Sequence, residues 1–153
     1  MPDYEKTGVL RLKDLALPSN SQLEKGVAIT ECIQKIPCNP CVDSCPVGAI
    51  SMHDINAPPV VDYDKCIACT KCVGICPGLA IFVIKTQGDK ALVTLPYEFL
   101  PIPGKGEKVE VLNRRGEPIG NGMVKKVVTK AKTNVVTVEV DKKLAMDCRN
   151  IRI

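Results

Sequence analysis

Apolar and polar positions follow two different rhythms along this chain of 153 residues. In the first half they form short clusters broken by turn residues. Gly8-Val9-Leu10-Arg11-Leu12 alternates and is followed by Pro18-Ser19-Asn20-Ser21, which predicts an extended segment and a turn. Ser21-Gln22-Leu23-Glu24-Lys25-Gly26 predicts one helical turn closed by glycine. Val60-Val61 and Ile81-Phe82-Val83-Ile84 have strand character, and Asn56-Ala57-Pro58-Pro59 marks a turn before the first of them. Gln87-Gly88-Asp89 then marks a change of regime. Beyond it, Ala91–Leu95, Lys108–Leu112 and Val135–Val140 have strand composition, the last two with a period of two. Asn113-Arg114-Arg115-Gly116-Glu117-Pro118 predicts a hairpin turn leading into Ile119–Val124. Lys142–Met146 predicts a helical turn before a last strand at Ile151–Ile153. About four to six short antiparallel strands of this kind predict a small barrel or curled sheet. The expected division is therefore an arm over 1–29, a first domain over 30–86 and a small all-β, barrel-like domain over 87–153.

The cysteines change this picture most. Cys38-Asn-Pro-Cys41-Val-Asp-Ser-Cys45-Pro46-Val-Gly-Ala49-Ile50 recurs as Cys69-Thr-Lys-Cys72-Val-Gly-Ile-Cys76-Pro77-Gly-Leu-Ala80-Ile81, each matched residue 31 positions after its counterpart. Cys66 completes the second copy as Cys66-x2-Cys69-x2-Cys72-x3-Cys76-Pro77. That spacing is the bacterial iron–sulfur run, in which three closely spaced thiolates hold one cubane and the fourth reaches a second cluster. A short loop can present three sulfurs and several backbone N–H groups to one face of a cube, so the fourth sulfur has to arrive on another piece of chain. Proline after the fourth cysteine has no N–H to leave unpaired, and its fixed φ suits the start of a turn. Two copies of the run imply two clusters that share ligands crosswise, in a chain that carries electrons.

At these positions residues 30–86 resemble the bacterial-type two-cluster 2[4Fe-4S] ferredoxins, whose fold is a pseudo-twofold α+β dicluster domain. The resemblance implies that Cys66, Cys69 and Cys72 bind one [4Fe-4S] cluster together with Cys45, and that Cys38 and Cys41 bind the other with Cys76. The first copy departs from the pattern. Constant offset places its missing cysteine at position 35, which is Lys35, while Cys32 lies three residues earlier. A bulge containing Ile36-Pro37 brings Cys32 to the first cluster; the alternative is a packed thiol at Cys32 and a [3Fe-4S] centre. The linked pattern Glu31-Cys32…Ile36-Pro37-Cys38-Asn39-Pro40-Cys41 with a β tail more distantly resembles the small subunits of flavin-dependent amino-acid or amine dehydrogenases.

Other uses of the cysteines fit less well. Structural zinc sites typically take two Cys-x2-Cys pairs across a long spacer, not runs ending in Cys-Pro. Met1-Pro2-Asp3-Tyr4-Glu5-Lys6 does not look like a signal peptide, which makes a disulfide framework unexpected and a cytoplasmic location expected. His53 is the single histidine, so no paired acid–base arrangement is available, and it is expected on the surface. Cys148 is expected to be a small buried hydrophobe. No catalytic residue is identified. Only 3% of residues are aromatic and none is tryptophan, which suits a core filled and crosslinked by inorganic clusters. Metal assembly should then be coupled to folding.

Charge divides the chain. Residues 1–86 hold 8 Lys and Arg against 9 Asp and Glu, and residues 87–153 hold 13 against 8. Lys125, Lys126, Lys130 and Lys132 cluster, but without the exposed aromatics on which bases stack, so no nucleic-acid partner is expected. No apolar run approaches the ~20 residues of a membrane span. The expectation is an electron-transfer subunit in a hetero-oligomer with a larger redox subunit, a flavoprotein by the more distant resemblance. The alternative is a free ferredoxin serving several redox enzymes.

Overall fold

The computed structural model describes residues 2–130 and 132–153, with the side chain of Lys130 outside the described set. Two short helices begin the chain, α1 over Asp3–Thr7 and α2 over Asn20–Lys25. Ser19 caps α2 by accepting from the Gln22 N–H, and the Gln22 side chain accepts from the Ser19 N–H in return. Strand β1 (Val27–Thr30) follows, then α3 (Pro40–Ser44), β2 (Ile50–Ser51), β3 (Val60–Val61) and α4 (Lys71–Ile75). The rest is strand: β4 (Ile81–Gln87), β5 (Lys90–Tyr97), β6 (Lys108–Leu112), β7 (Pro118–Lys130), β8 (Thr133–Asp141) and β9 (Asn150–Arg152).

The sequence repeat is a structural repeat. Helix α3 maps onto α4 at the same offset of 31, and so do the strand pairings. Thr30 pairs with Ile81 across β1 and β4, and Val61 pairs with Ile50 across β3 and β2. Adding 31 to Thr30 gives Val61, and adding 31 to Ile50 gives Ile81. Each copy thus lends one strand to a pair completed by the other, which is the pseudo-twofold arrangement of an α+β dicluster domain.

Strand β4 joins that unit to the rest of the chain. The larger sheet runs β1-β4-β5-β8-β7-β6-β9 and is antiparallel throughout. Gln87–Lys90 is a tight hairpin inside it, with Gln87 paired to Lys90. Alternation on β4 explains the run of apolar residues read there. Phe82 and Ile84 pack into one core with Leu95, Val111, Val136, Val138 and Cys148. Ile81 and Val83 face a second core with Cys41, Cys66, Cys72, Val73 and Ile50. A strand buried on both faces needs no polar face, so its sequence reads as unbroken apolar.

The β region is a curled open ladder. Two irregularities bend it: the β6–β7 register shifts between Val111 and Leu112, and the β7–β8 register shifts between Val124 and Lys126. Gly120 and Gly122 let β7 press on its neighbours; a Cβ at Gly122 would lie 2.6 Å from Val138 Cγ1. Through this curl β9 returns into contact with β5. Among the described residues the ladder ends at β1 and β9, and no pairing closes it into a barrel.

At the N-terminus, Gly8–Leu12 pairs with no strand among the described residues; Arg11 is extended and a 3-10 turn follows at Leu12–Asp14, with the Asp14 carboxylate accepting from the Arg11 N–H at 2.9 Å. Val27–Thr30, a segment to which the residue pattern assigned no element, is the strand that opens the sheet. Tyr63 donates its hydroxyl to the Ala16 carbonyl, and Lys25 Nζ donates to the carbonyls of Tyr63 and Asp64 at 2.7 and 2.9 Å, which ties the segment before β1 to the approach to Cys66.

Candidate iron–sulfur site

The eight cysteines of the two runs gather as two quartets. Around Cys41, the N1–N2 turn of α3 and the preceding loop bring Cys38 and Cys32, and the second copy sends Cys76. Burial first, then the neighbouring Cys76, pushes the Cys41 thiol up, with smaller contributions from Cys38 and Cys32. Around Cys72, at the start of α4, stand Cys66, Cys69 and, from the first copy, Cys45. Burial and these three thiols push Cys72 up to about 12. Each quartet therefore takes three sulfurs from one run and one from the other. Cys32, Cys38 and Cys76 line a cavity of about 360 Å³, and Cys45, Cys66, Cys69 and Cys72 line a narrower cleft.

Backbone amides point at the sulfurs. Ala49 N–H donates to Cys45 Sγ at 3.2 Å and Ala80 N–H to Cys76 Sγ at 3.4 Å, at equivalent positions of the repeat. Ala28 N–H in β1 donates to Cys66 Sγ at 3.3 Å. At Cys45, burial works against the thiolate, but the amides of Val47, Ala49, Ile50 and Gly48 outweigh it and bring the pKa down. This is the environment a coordinated thiolate needs, since N–H···S bonds neutralise charge on a buried anionic centre. A four-iron core holds its thiolates farther apart than one ion does. Among the described residues no three Cys, His, Asp or Glu side chains converge closely enough for a single metal ion. The thiols present fit two cubanes.

The loops around the quartets differ. After Cys66 the backbone enters the left-handed region at Ala68 (φ 56°) and Thr70 (φ 68°), curling the loop tightly around its sulfurs. The equivalent positions in the first copy are Pro37, whose ring excludes positive φ, and Asn39, at φ −139°. That loop cannot take the same path, and Cys32 reaches its quartet along a longer one. Further on the copies agree again: Gly48 and Leu79 are equivalent and both left-handed, at φ 63° and 54°.

Outside the quartets, Cys148 is fully buried in the sheet core, where burial pushes it up to about 12 despite neighbouring Arg149. His53 is exposed. Lys125 and Lys126 are exposed on β7, with Lys125 Nζ 3.8 Å from Glu139. No described helix is long and apolar enough to cross a membrane. What the residue pattern did not reveal is that Gly8 and Leu10 line the cavity of the first quartet, as does Glu31, which pairs with Arg114 and Arg149. Those partners lie 83 and 118 positions away, beyond any local signal.

Thiol quartets built crosswise from two copies of one loop–helix–strand unit characterise an iron–sulfur electron-transfer domain of the dicluster ferredoxin kind. Residues 27–77 match the 4Fe-4S dicluster domain, and the cofactors are two [4Fe-4S] clusters. Over 57 residues, 37% of the chain, it is 37% identical to the polyferredoxin-like subunit of an aliphatic sulfonate oxidoreductase from Pyrococcus furiosus, covering 33% of that protein. Over 56 residues, also 37% of the chain, it is 41% identical to an uncharacterized ferredoxin of Methanocaldococcus jannaschii, covering 36% of it. Over 38 residues, 25% of the chain, it is 50% identical to a sulfite dehydrogenase subunit from Allochromatium vinosum, covering 16% of it. The chain thus spans about a third or less of the length of these curated relatives. No solved structure matches it significantly.

Proposed function

We propose that this chain is the electron-relay subunit of a larger oxidoreductase, passing single electrons through two [4Fe-4S] clusters in the cytoplasm. The observation that carries the proposal is the pair of crosswise quartets: Cys32, Cys38, Cys41 and Cys76 as ligands of the first cluster, and Cys66, Cys69, Cys72 and Cys45 as ligands of the second. When bound, the clusters supply one-electron carriers. The protein holds them, directs amides at their sulfurs and keeps water from them with Ala28, Ile50, Val73 and Val83. The division proposed is an arm over 1–29, the cluster domain over 30–86 and a barrel-like docking module over 87–153. The larger partner is a flavoprotein dehydrogenase in this reading, which rests on the Glu31-Cys32…Cys41 pattern with a β tail; three of the relatives are themselves named as subunits of oxidoreductases.

The test is anaerobic purification of the natively expressed protein, with iron, sulfide and co-purifying chains quantified. Roughly eight irons per chain with a stoichiometric flavin-bearing partner is the expected result. Roughly eight irons on a lone chain would instead make it a free ferredoxin, and roughly seven would remove Cys32 from the ligand set.

A further inference from the structure

The sheet delivers two arginines to Glu31, a residue in the wall of the first cluster's cavity. Glu31 immediately precedes Cys32, and both line that cavity with Cys38 and Cys76. The Glu31 N–H donates to the Ala80 carbonyl at 2.7 Å, and the Ala80 N–H donates to Cys76 Sγ, so its backbone is fixed to the fourth sulfur's loop. Its carboxylate, with the side chain only 7% exposed, accepts from Arg149 Nε at 2.6 Å on one oxygen and from Arg114 Nε on the other. Arg114 comes from the β6–β7 turn and Arg149 from the residue before β9. Arg149 is 4% exposed in its side chain, stacks 4.8 Å above the Phe82 ring, and gives Nη1 to the carbonyls of Cys148 and Ala145 at 2.6 and 3.1 Å.

The arrangement is more expensive than anchoring requires. One arginine would neutralise Glu31. The second leaves the buried trio with one positive charge in excess, which among the described residues Asp147, half-exposed and 3.6 Å from Arg114 Nη1, offsets only through a solvent-screened contact. Nη2 of Arg114 and Nη2 of Arg149 are both buried with no hydrogen-bond partner. Buried unpaired donors and uncompensated charge are costly unless an anion lies within electrostatic reach. Burial pulls the Arg149 pKa down and Glu31 holds it up, and a guanidinium stays protonated in either case.

We propose that Arg114 and Arg149, gathered on Glu31, present a fixed positive charge to the cluster bound by Cys32, Cys38, Cys41 and Cys76, setting its reduction potential above that of its partner cluster. Local charge is one of the levers that set iron–sulfur potentials, and positive charge favours the reduced, more negative state. The β region is thereby a tuning element for one cluster as well as a surface. This rests on the ligand reading above.

The test is an EPR-monitored redox titration of the full-length, cluster-loaded chain carrying Glu31→Gln, Arg149→Met, Arg149→Lys or Arg114→Met. Removing the carboxylate charge should raise one midpoint potential, and removing either guanidinium charge should lower that same midpoint. The other cluster should stay where it is, and Arg149→Lys should stay near the unsubstituted value. Loosening of the Cys32 loop alone would move Glu31→Gln and the arginine variants in the same direction. Same-sign shifts, equal shifts of both clusters or no shift would each overturn the proposal. Should Arg149→Met not assemble, Glu31→Gln and Arg114→Met carry the opposite-sign comparison. Iron content of the unsubstituted protein reads the ligand set separately: a three-iron first centre would sink the assignment of Cys32, whereas the signed shifts alone decide the role of the arginines.

Discussion

Val83 and Ile84 are consecutive residues of β4 with opposite duties, and truncating each to alanine separates the two cores. Ile84 is fully buried in the sheet core, and Val83, 4% exposed, lines the cleft of Cys45, Cys66, Cys69 and Cys72. Ile84→Ala removes three carbons, about 2.4 kcal/mol at ~0.8 kcal/mol per buried methylene. With the cavity left between strands the total is about 3–4 kcal/mol. Val83→Ala removes two carbons, about 1.6 kcal/mol of transfer and about 2 kcal/mol with its cavity. At roughly 2–4 °C per kcal/mol for a chain of this size, midpoints should fall by about 10 °C and about 5 °C. The assay is anaerobic thermal unfolding followed by far-ultraviolet circular dichroism and by the visible absorbance of the clusters. In Ile84→Ala the two signals should be lost together, at the lower temperature. In Val83→Ala bleaching should precede loss of the sheet, because the truncation opens the cleft to water without breaking the core behind it. Early bleaching in Ile84→Ala, or coincident loss in Val83→Ala with a larger destabilisation, would refute the division of β4 into a cluster face and a core face.

Other expectations follow from single sites. Cys72→Ala or Cys69→Ala should halve the iron content and weaken retention of the remaining cluster, since Cys45 stands in the same quartet and on the same helix–turn as Cys41; full iron and sulfide in such a variant would remove the ligand assignment. Gly122→Ala puts a methyl 2.6 Å from Val138 Cγ1 and 2.9 Å from the Glu139 carbonyl oxygen, and should cost about 1–3 kcal/mol in the thermal midpoint; an unchanged midpoint would mean that β7 is not pressed onto β8 there. Lys90 and Asp141 pair at 2.7 Å across β5 and β8, and hydrogen bonding and the opposite charge lower the Asp141 pKa and raise that of Lys90. The contribution from Asp141 is present above its unfolded pKa and fades as pH falls through its lowered folded value. That from Lys90 is present below its own unfolded pKa and fades as pH rises through its raised folded value. Both groups are exposed, so Asp141→Asn should flatten only a small, salt-screened acid limb of stability; a large acid-side loss in the unsubstituted protein that this variant abolishes would show that exposure has been misjudged.

The cluster unit was legible because its signals are local. Three cysteines in a turn, a proline after the fourth and an apolar pair leading to a strand are each set by neighbours in the chain; the short helices α3 and α4, which recur at the same offset of 31, were not marked by the residue pattern. The sheet beyond Gln87 was legible for the same reason, since period-two alternation is written into Lys108–Leu112 and Val135–Val140 and strand composition into Ala91–Leu95. What escaped depends on partners far away. Val27-Ala28-Ile29-Thr30 is a strand because β4 lies beside it, with Val27 paired to Ile84. Gly8–Leu12 alternates yet lacks any such partner among the described strands, and Asp14 turns it back instead. The Glu31–Arg114–Arg149 group joins three segments whose sequences carry no mark of one another.

The broken symmetry of the repeat has a physical origin in two residues. Ala68 and Thr70 tolerate left-handed backbone at some cost, and their loop closes tightly on Cys66, Cys69 and Cys72. Pro37 forbids that conformation at the matched position, which forces a longer path and moves the first thiol from position 35 to Cys32. Glu31 itself keeps the symmetric place, its N–H on the Ala80 carbonyl as the Asp62 N–H is on the Ala49 carbonyl, and there it meets two arginines from the sheet. The second quartet lies in a narrow cleft with the Ala28 and Ala49 amides on its sulfurs, whereas the first opens onto a wider cavity lined by Gly8, Leu10 and Glu31, the last paired to arginines of the sheet. The two quartets of the repeat therefore have different electrostatic surroundings, and under the relay proposed above their clusters would differ in potential.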